Sequence, residues 1–257
     1  MTANTATAVQ AIRGEVSANE FHRRTVAALH TAEVPFLIGG AYMVEVCGGV
    51  SRSTKDFDLY VRPNHVKAAL RALARAGYKT ELTFPHWLAK ATYEGDIVDL
   101  IFRAGNGLCE VDDSWFDRAP EEMIWMKAYI MERERFDGAD IAHILRCCAA
   151  EIDWPHLVRR FGPDWRVLLS HLILFGYIYP GERALIPAAI MEDLMTRLRS
   201  EASTAGPERL CRGTLLSREQ YLVDVREWGF RDARLEERVQ MNEKDIADWT
   251  DAIEKEE

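Results

Sequence analysis

The sequence has no long apolar run, and this absence argues against a transmembrane helix. The longest apolar candidate, residues 167–179, is interrupted by Ser170, His171 and Gly176. A membrane span needs roughly 18 uninterrupted apolar residues, so this segment predicts a buried helix instead. Residues 1–15 also lack the apolar stretch of a signal peptide. We therefore expect a cytoplasmic protein with no membrane partner.

Cysteine is scarce and positive charge is in deficit. The five cysteines include no CxxC pair, and their odd number leaves at least one thiol unpaired in any intramolecular disulfide scheme. Lys and Arg number 32 against 41 Asp and Glu, which gives a net charge of -9. A surface of this sign repels a phosphate backbone. General DNA binding is therefore not expected, and the cysteine usage is typical of a reducing compartment.

The remaining composition is that of a globular chain, with 48% hydrophobic and 28% charged residues. Ser17 and Glu20 have the spacing of a capping box, which predicts a helix at residues 18–31. Residues 66–76 have the spacing of apolar residues typical of a helix, and a further helix is predicted to begin at Ala41. Short apolar or alternating runs predict strands at residues 35–38, 56–61, 78–84, 87–93 and 97–102. The first hundred residues are therefore mixed α and β.

After Gly107 the pattern changes to helices, beginning at Pro120. The predicted fold class is α+β, with a small mixed sheet followed by an all-helical domain. The predicted organisation is an N-terminal helical segment at 1–33, a sheet domain at 34–118 and a helical C-terminal domain at 119–257. The acidic residues 236–257 predict a solvated or frayed helix at the end of the chain.

Three aspartates stand out in the predicted strands. Asp56 and Asp58 alternate with Phe57 and Leu59, so in an extended segment both carboxylates project to the same side. Asp99 lies between Val98 and Leu100, where an unpaired charge would be costly to bury. Clustered carboxylates are suitable ligands for Mg²⁺, with Mn²⁺ as an alternative, and phosphoryl transfer uses such ions to neutralise charge.

A glycine pair and several donors precede the first two aspartates. Gly39 and Gly40 follow a predicted strand, and they permit close approach of backbone N–H groups and a helix N-terminus to a triphosphate. Further donors lie just before Asp56: Arg52, Ser53, Thr54 and Lys55. Each of these features alone is weak, because a glycine pair is commonly a plain turn and basic residues commonly form surface ion pairs. Together with the aspartates they indicate a nucleotide site.

The segment IGGAYMVEVCGGVSRSTKDFDLYV, residues 38–61, resembles the signature of the DNA polymerase β-like nucleotidyltransferases: a GG turn followed by a D-x-D strand. IVDLIF, residues 97–102, resembles the strand that carries their third carboxylate. The R-x-T-x-D-x-D run is similar to that of the minimal and AbiEii-type bacterial members. Residues 120–145 resemble the helical segment that follows the catalytic domain in the AbiEii-type group, with Lys127 and an R-x-D-x-x-D pattern at Arg135, Asp137 and Asp140.

This resemblance implies a magnesium-dependent nucleotidyltransferase. Asp56, Asp58 and Asp99 would be its catalytic residues and metal ligands, with Asp99 as the base for the incoming hydroxyl. The nucleotide contacts implied or suggested by position are Gly39, Gly40, Arg52, Thr54, Lys55 and Lys127. The enzyme would transfer a nucleoside monophosphate from a triphosphate such as ATP and release pyrophosphate. Whether the acceptor is RNA, a protein or a small molecule stays open.

Other interpretations of the same residues remain. The aspartates could mark a solvated strand end with a buried, hydrogen-bonded Asp99. Lys127 could lie at the border of an apolar helix face, and Asp137 and Asp140 are expected at a helix surface or cap. The alternative function is a catalytically inactive nucleotide- or partner-binding protein of the same fold, in a toxin–antitoxin or defence system. A metal-dependent phosphohydrolase is disfavoured because no histidine lies near these strands.

Overall fold

The computed structural model describes residues 20–48, 56–201 and 209–252. The chain divides into two compact units. One comprises Met1–Ala119 together with Glu237–Glu257, and the other comprises Pro120–Glu236.

The first unit combines helices with a mixed sheet. Its helices before the boundary are α1 (Glu20–Thr31), α2 (Gly40–Gly48), α3 (Val66–Arg75) and the short α4 (Ser114–Asp117). Its strands are β1 (Leu37–Ile38), β2 (Asp56–Tyr60), β3 (Lys79–Phe84), β4 (Leu88–Tyr93) and β5 (Asp96–Ile101). The α+β class predicted from the sequence is confirmed.

The five strands form one sheet in the order β1-β2-β5-β4-β3. The central pair, β2 and β5, is parallel, and the other neighbours are antiparallel. The chain between β2 and β5 passes through α3 and the hairpin of β3 and β4 before it returns to the centre. Strands that are distant in sequence therefore lie side by side in the middle of the sheet.

One face of the sheet is apolar and the helices cover it. Phe57, Leu59, Val98 and Leu100 are fully buried and share this face through the alternation along β2 and β5. Helix α3 packs against β3, β4 and α1, while α2 contacts β2. Burial of each such side chain contributes roughly 1.5–3 kcal/mol, so this core holds the central strands in register. The polar residues of the same strands must then lie on the opposite face.

The end of the chain belongs to the first unit. Helix α11 (Glu243–Asp251) begins with a capping box. The Asn242 side chain accepts the backbone N–H of Asp245, and the Asp245 side chain accepts the backbone N–H of Asn242. Trp249 is buried, and its indole lies where a Cβ on Gly105 would collide with it. A helix is present in the described part of residues 236–257, and much of its surface is exposed, as expected. It differs from the expectation in that Trp249 provides an apolar anchor.

The second unit is mainly helical. Its helices are α5 (Ala119–Lys127, beginning at the boundary), α6 (Gly138–Cys148), α7 (Trp154–Phe161), α8 (Trp165–Ile178), α9 (Ala188–Glu201) and α10 (Leu222–Arg226). Helix α8 packs against α6, α7 and α9, with Leu168, Leu172 and Phe175 in the core. It is buried on one face only, whereas a buried helix was predicted, because Ile173, Tyr177 and Ile178 are exposed. In the residues that the structure describes, no helix is long and apolar enough to span a membrane.

This unit is not purely helical, in contrast to the prediction. Two short strands, β6 (Leu210–Cys211) and β7 (Arg231–Asp232), pair in parallel. They are too short to show an alternating pattern, so the sequence carries no strand signal there. The buried Arg234 side chain lies next to this pair and binds both carboxylate oxygens of Asp232.

Candidate active site

The two predicted aspartates of β2 project from the face of the sheet opposite Phe57 and Leu59. Asp56 and Asp58 are partly exposed, whereas Phe57 and Leu59 between and after them are fully buried. This alternation is the one that the sequence predicts for a strand buried on one face. The strand therefore presents two carboxylates on the same side.

The parallel pairing of β2 with β5 brings the third aspartate beside them. Asp58 and Asp99 are register partners across the two strands. Neighbouring strands lie about 4.8 Å apart, and register partners project to the same face. Asp56, Asp58 and Asp99 thus form one carboxylate group at the centre of the sheet, which we call the aspartate cluster.

Asp99 is the most enclosed member of the cluster, with only 9% of its surface exposed. Its register partner on the other side is Lys90 of β4, whose Nζ lies 3.3 Å from Asp99 Oδ1. Burial raises the pKa of Asp99; the positive charge of Lys90 opposes this rise and the negative charge of Asp56 adds to it. Asp99 Oδ1 has no hydrogen-bond partner among the described residues, so its contact with Lys90 is that of an ion pair.

Gly39 and Gly40 pack directly on β2, the strand that carries Asp56 and Asp58. Gly39 donates its N–H to the carbonyl of Asp58 at 2.9 Å, and a Cβ at Gly39 would lie 1.9 Å from the ring of Tyr60. Gly40 is the first residue of α2 and has a φ of +56°. A Cβ at Gly40 would lie 1.7 Å from Oδ2 of Asp58. Only glycine allows this approach, which places the N-terminus of α2 against the Asp58 carboxylate.

The donor set of the cluster suits a hard divalent cation. Carboxylate oxygens are the ligands that Mg²⁺ prefers, and Asp99 contributes a buried oxygen without a hydrogen bond. Across residues 20–48, 56–201 and 209–252, however, no group of three or more His, Cys, Asp or Glu side chains is placed so that it could hold a metal ion. The chemistry of the three aspartates fits a cation, but their side chains as placed do not form a complete set of ligands.

Several predicted nucleotide contacts are not assembled with the cluster in the described structure. Arg52, Thr54 and Lys55 lie outside the described residues, so their role stays a prediction. Lys127 lies in α5, within the second unit. There its Nζ binds Asp137 Oδ2 at 2.6 Å and Asp140 Oδ2 at 2.8 Å. Its proposed contact with a nucleotide stays a prediction.

Asp137 and Asp140 were expected at a helix surface or cap. Asp137 is the N-cap residue of α6, as expected, although its side chain makes no capping hydrogen bond. The expectation of a surface position is wrong. Both are buried, and so is Lys127. Burial favours a higher pKa for Asp137, but hydrogen bonds from Arg135 and the charge of Lys127 outweigh it and lower the pKa. The sequence pattern at these positions therefore forms a buried ion-pair cluster, in which one lysine balances two carboxylates and Arg135 supports one of them.

Sequence reasoning missed Lys90 as a member of the site. A signal was present, because Lys90 lies between Ala89 and Ala91, which are both fully buried in a strand that covers the core. Because successive side chains of a strand point to opposite faces, a lysine between two buried alanines lies on the face opposite to theirs. Its pairing with Asp99 depends on the β4–β5 register, which the local pattern does not reveal.

No protein-family model matches the sequence, and no curated protein matches it. A solved structure of the antibiotic-resistance factor ANT(2'')-Ia is similar to this chain at 18% sequence identity, with a TM-score of 0.33. The similarity covers 71% of this chain and 91% of that chain. Similarity of this degree assigns neither activity nor substrate, and the resemblance to AbiEii-type proteins stays a prediction.

Proposed function

We propose that this chain is a magnesium-dependent nucleotidyltransferase that transfers a nucleoside monophosphate from a triphosphate to an acceptor hydroxyl and releases pyrophosphate. The observation that carries the proposal is the register of β2 with β5, which puts Asp99 beside Asp58 on the face that also carries Asp56. A solvated strand end does not explain a carboxylate as enclosed as that of Asp99.

Each residue of the cluster has a role that follows from its position. Asp56 and Asp58 would hold the cation, because both are partly exposed on β2. Asp99 would share in holding it and would accept the proton of the attacking hydroxyl, since burial raises its pKa above that of an ordinary aspartate. A bound Mg²⁺ supplies neutralisation of charge on the transferred phosphoryl group.

The glycine turn would orient the triphosphate. The N-terminus of α2 lies against the Asp58 carboxylate, and the first N–H groups of a helix lack intrahelical acceptors. Such a terminus attracts phosphate oxygens through these N–H groups and the helix dipole. The aspartate cluster would hold the cation, and the N-terminus of α2 would hold the triphosphate whose charge the cation neutralises.

Calorimetric titration of each nucleoside triphosphate, with and without Mg²⁺, tests the proposal. We expect binding that requires Mg²⁺ and that the Asp56→Asn/Asp58→Asn double variant loses. The heat signals would also identify the preferred nucleotide, with which pyrophosphate release can then be followed. If no triphosphate binds to the wild-type protein, the proposal fails and the inactive, partner-binding alternative gains support.

Replacing Gly40 by alanine tests the glycine turn. We expect Mg²⁺-dependent triphosphate binding to weaken by about tenfold or more, because the new methyl group would collide with Asp58 Oδ2 and the positive φ would be strained. Gly95→Ala is the matched control. Gly95 also has a positive φ, +98°, but no described atom lies within 4 Å of the position that its methyl group would take. Equal binding by the two variants would show that the turn has no role in the site.

A further inference from the structure

Lys90 brings a positive charge to the aspartate cluster. It lies on β4, is the register partner of Asp99, and places its Nζ 3.3 Å from Asp99 Oδ1. About a third of the Lys90 side chain is exposed, whereas the Asp99 side chain is mostly enclosed. The lysine therefore keeps partial contact with solvent while its ammonium lies beside the carboxylate.

The Lys90 ammonium lies against Asp99 Oδ1, an oxygen through which Asp99 could bind a divalent cation. Asp99 Oδ1 is buried and makes no hydrogen bond within the described residues. The Lys90 ammonium lies 3.3 Å from it as an ion-pair partner. A lysine ammonium is a compact point charge on a flexible stem of four carbons. Because part of the stem is exposed, the ammonium can swing into solvent without disturbing the buried neighbours Ala89 and Ala91.

A divalent cation and the Lys90 ammonium repel each other at short range, so both cannot occupy the same carboxylate oxygen. The ammonium must therefore move away from Asp99 Oδ1 when a cation binds there, and this movement costs part of the binding free energy of the cation. Purely structural neutralisation of Asp99 by Lys90 would have a different consequence, since it would stabilise the fold equally with and without the cation.

We propose that Lys90 is a positioning residue that holds the Asp99 carboxylate, competes with a divalent cation for Oδ1 and releases that oxygen when the cation binds. This inference rests on the proposed function, because it requires Asp99 to be a cation ligand. It adds a residue to the site and predicts that affinity for the cation is lower with Lys90 than without it.

Titration of Mg²⁺ alone, followed by calorimetry at one mildly alkaline pH, tests the competition. We expect Lys90→Met to bind Mg²⁺ about tenfold more tightly than the wild-type protein, because the competing charge is gone. Lys90→Arg keeps the charge and is expected to bind Mg²⁺ no more tightly than the wild-type protein. Lys79→Met is the matched control, because Lys79 is an exposed lysine on β3 of the same sheet.

The melting temperature gives a second, independent measurement. We expect saturating Mg²⁺ to raise the Tm of Lys90→Met by more than it raises the Tm of the wild-type protein. If Mg²⁺ binds both proteins with the same Kd and the same Tm gain, Lys90 has only a structural role and this inference is overturned while the proposed function stands. If Mg²⁺ binds to neither protein, this inference is overturned, and the triphosphate titration decides the proposed function separately.

Discussion

Asp99→Asn is expected to lower nucleotidyl transfer by about a thousandfold while triphosphate binding is retained. The amide keeps the shape of the side chain but neither accepts the hydroxyl proton as a base nor carries the negative charge that attracts the cation, and loss of such a group costs roughly 10²–10⁴ in rate. The measurement is transfer of label from the α-phosphate of the preferred triphosphate into acceptor fractions of a lysate. Calorimetry would report binding of the same triphosphate.

Asp96→Asn is the control for this variant. Asp96 begins the same strand, β5, but its side chain is exposed and lies outside the cluster. We expect this control to transfer label at the wild-type rate. Wild-type transfer by Asp99→Asn would remove Asp99 from the mechanism.

The stability of Asp99→Asn should depend on pH in a defined direction. Burial raises the pKa of Asp99, so folding favours the protonated carboxyl. That contribution is fully present below the ordinary aspartate pKa and is lost as the pH rises through the raised value. The variant should therefore match the wild-type protein in acid and be more stable at neutral pH, as measured by urea unfolding. A large loss of stability at neutral pH would show that Asp99 is structural.

Lys127→Met is expected to destabilise the protein by about 3–5 kcal/mol, the usual cost of removing one partner from a buried ion pair. Lys127, Asp137 and Asp140 are all buried, and the lysine binds both carboxylates. Methionine keeps the length and the apolar stem, so the loss would come from the uncompensated carboxylates. Urea unfolding at neutral pH, followed by circular dichroism, measures it.

A surface ion pair of the same unit provides the control. Arg197 and Asp193 form an i,i+4 pair on α9 with both side chains over 40% exposed. Arg197→Met is expected to cost about 0.5 kcal/mol or less. A similar small loss for Lys127→Met would mean that its ammonium is not needed for folding and would strengthen the prediction that it contacts a nucleotide.

Acid should reduce the effect of Lys127→Met. The pKa of Asp137 is lowered in the native state, so its ionised form stabilises the wild-type fold above the ordinary aspartate pKa, and this stabilisation is lost as the pH falls through the lowered value. In the variant, protonation relieves buried charge instead. The difference in unfolding free energy should shrink as the pH falls through this range, and a difference that grows in acid would contradict the assigned ion pairs.

Much of the first unit was predictable because its signals are local. Alternation along residues 56–61 and the apolar stripe of α3 reflect burial on one face of each element, and residues 97–102 form a short apolar run. The shared direction of Asp56 and Asp58 follows from the same period of two. The prediction was weakest where elements are very short, as in β6 and β7, or where a single residue such as Trp249 anchors an otherwise acidic segment.

The amino-acid sequence by itself determined the mixed α and β character, the carboxylate strand and the glycine turn before it, because period, turn chemistry and strand propensity act over a few residues. Tertiary structure decided that β2 and β5 are parallel neighbours in a register that sets Asp58 beside Asp99 and Asp99 beside Lys90. It also decided that Lys127 is enclosed by Asp137 and Asp140. The physical reason is that strand register and charge burial depend on how whole apolar faces pack together, and no local pattern contains that information.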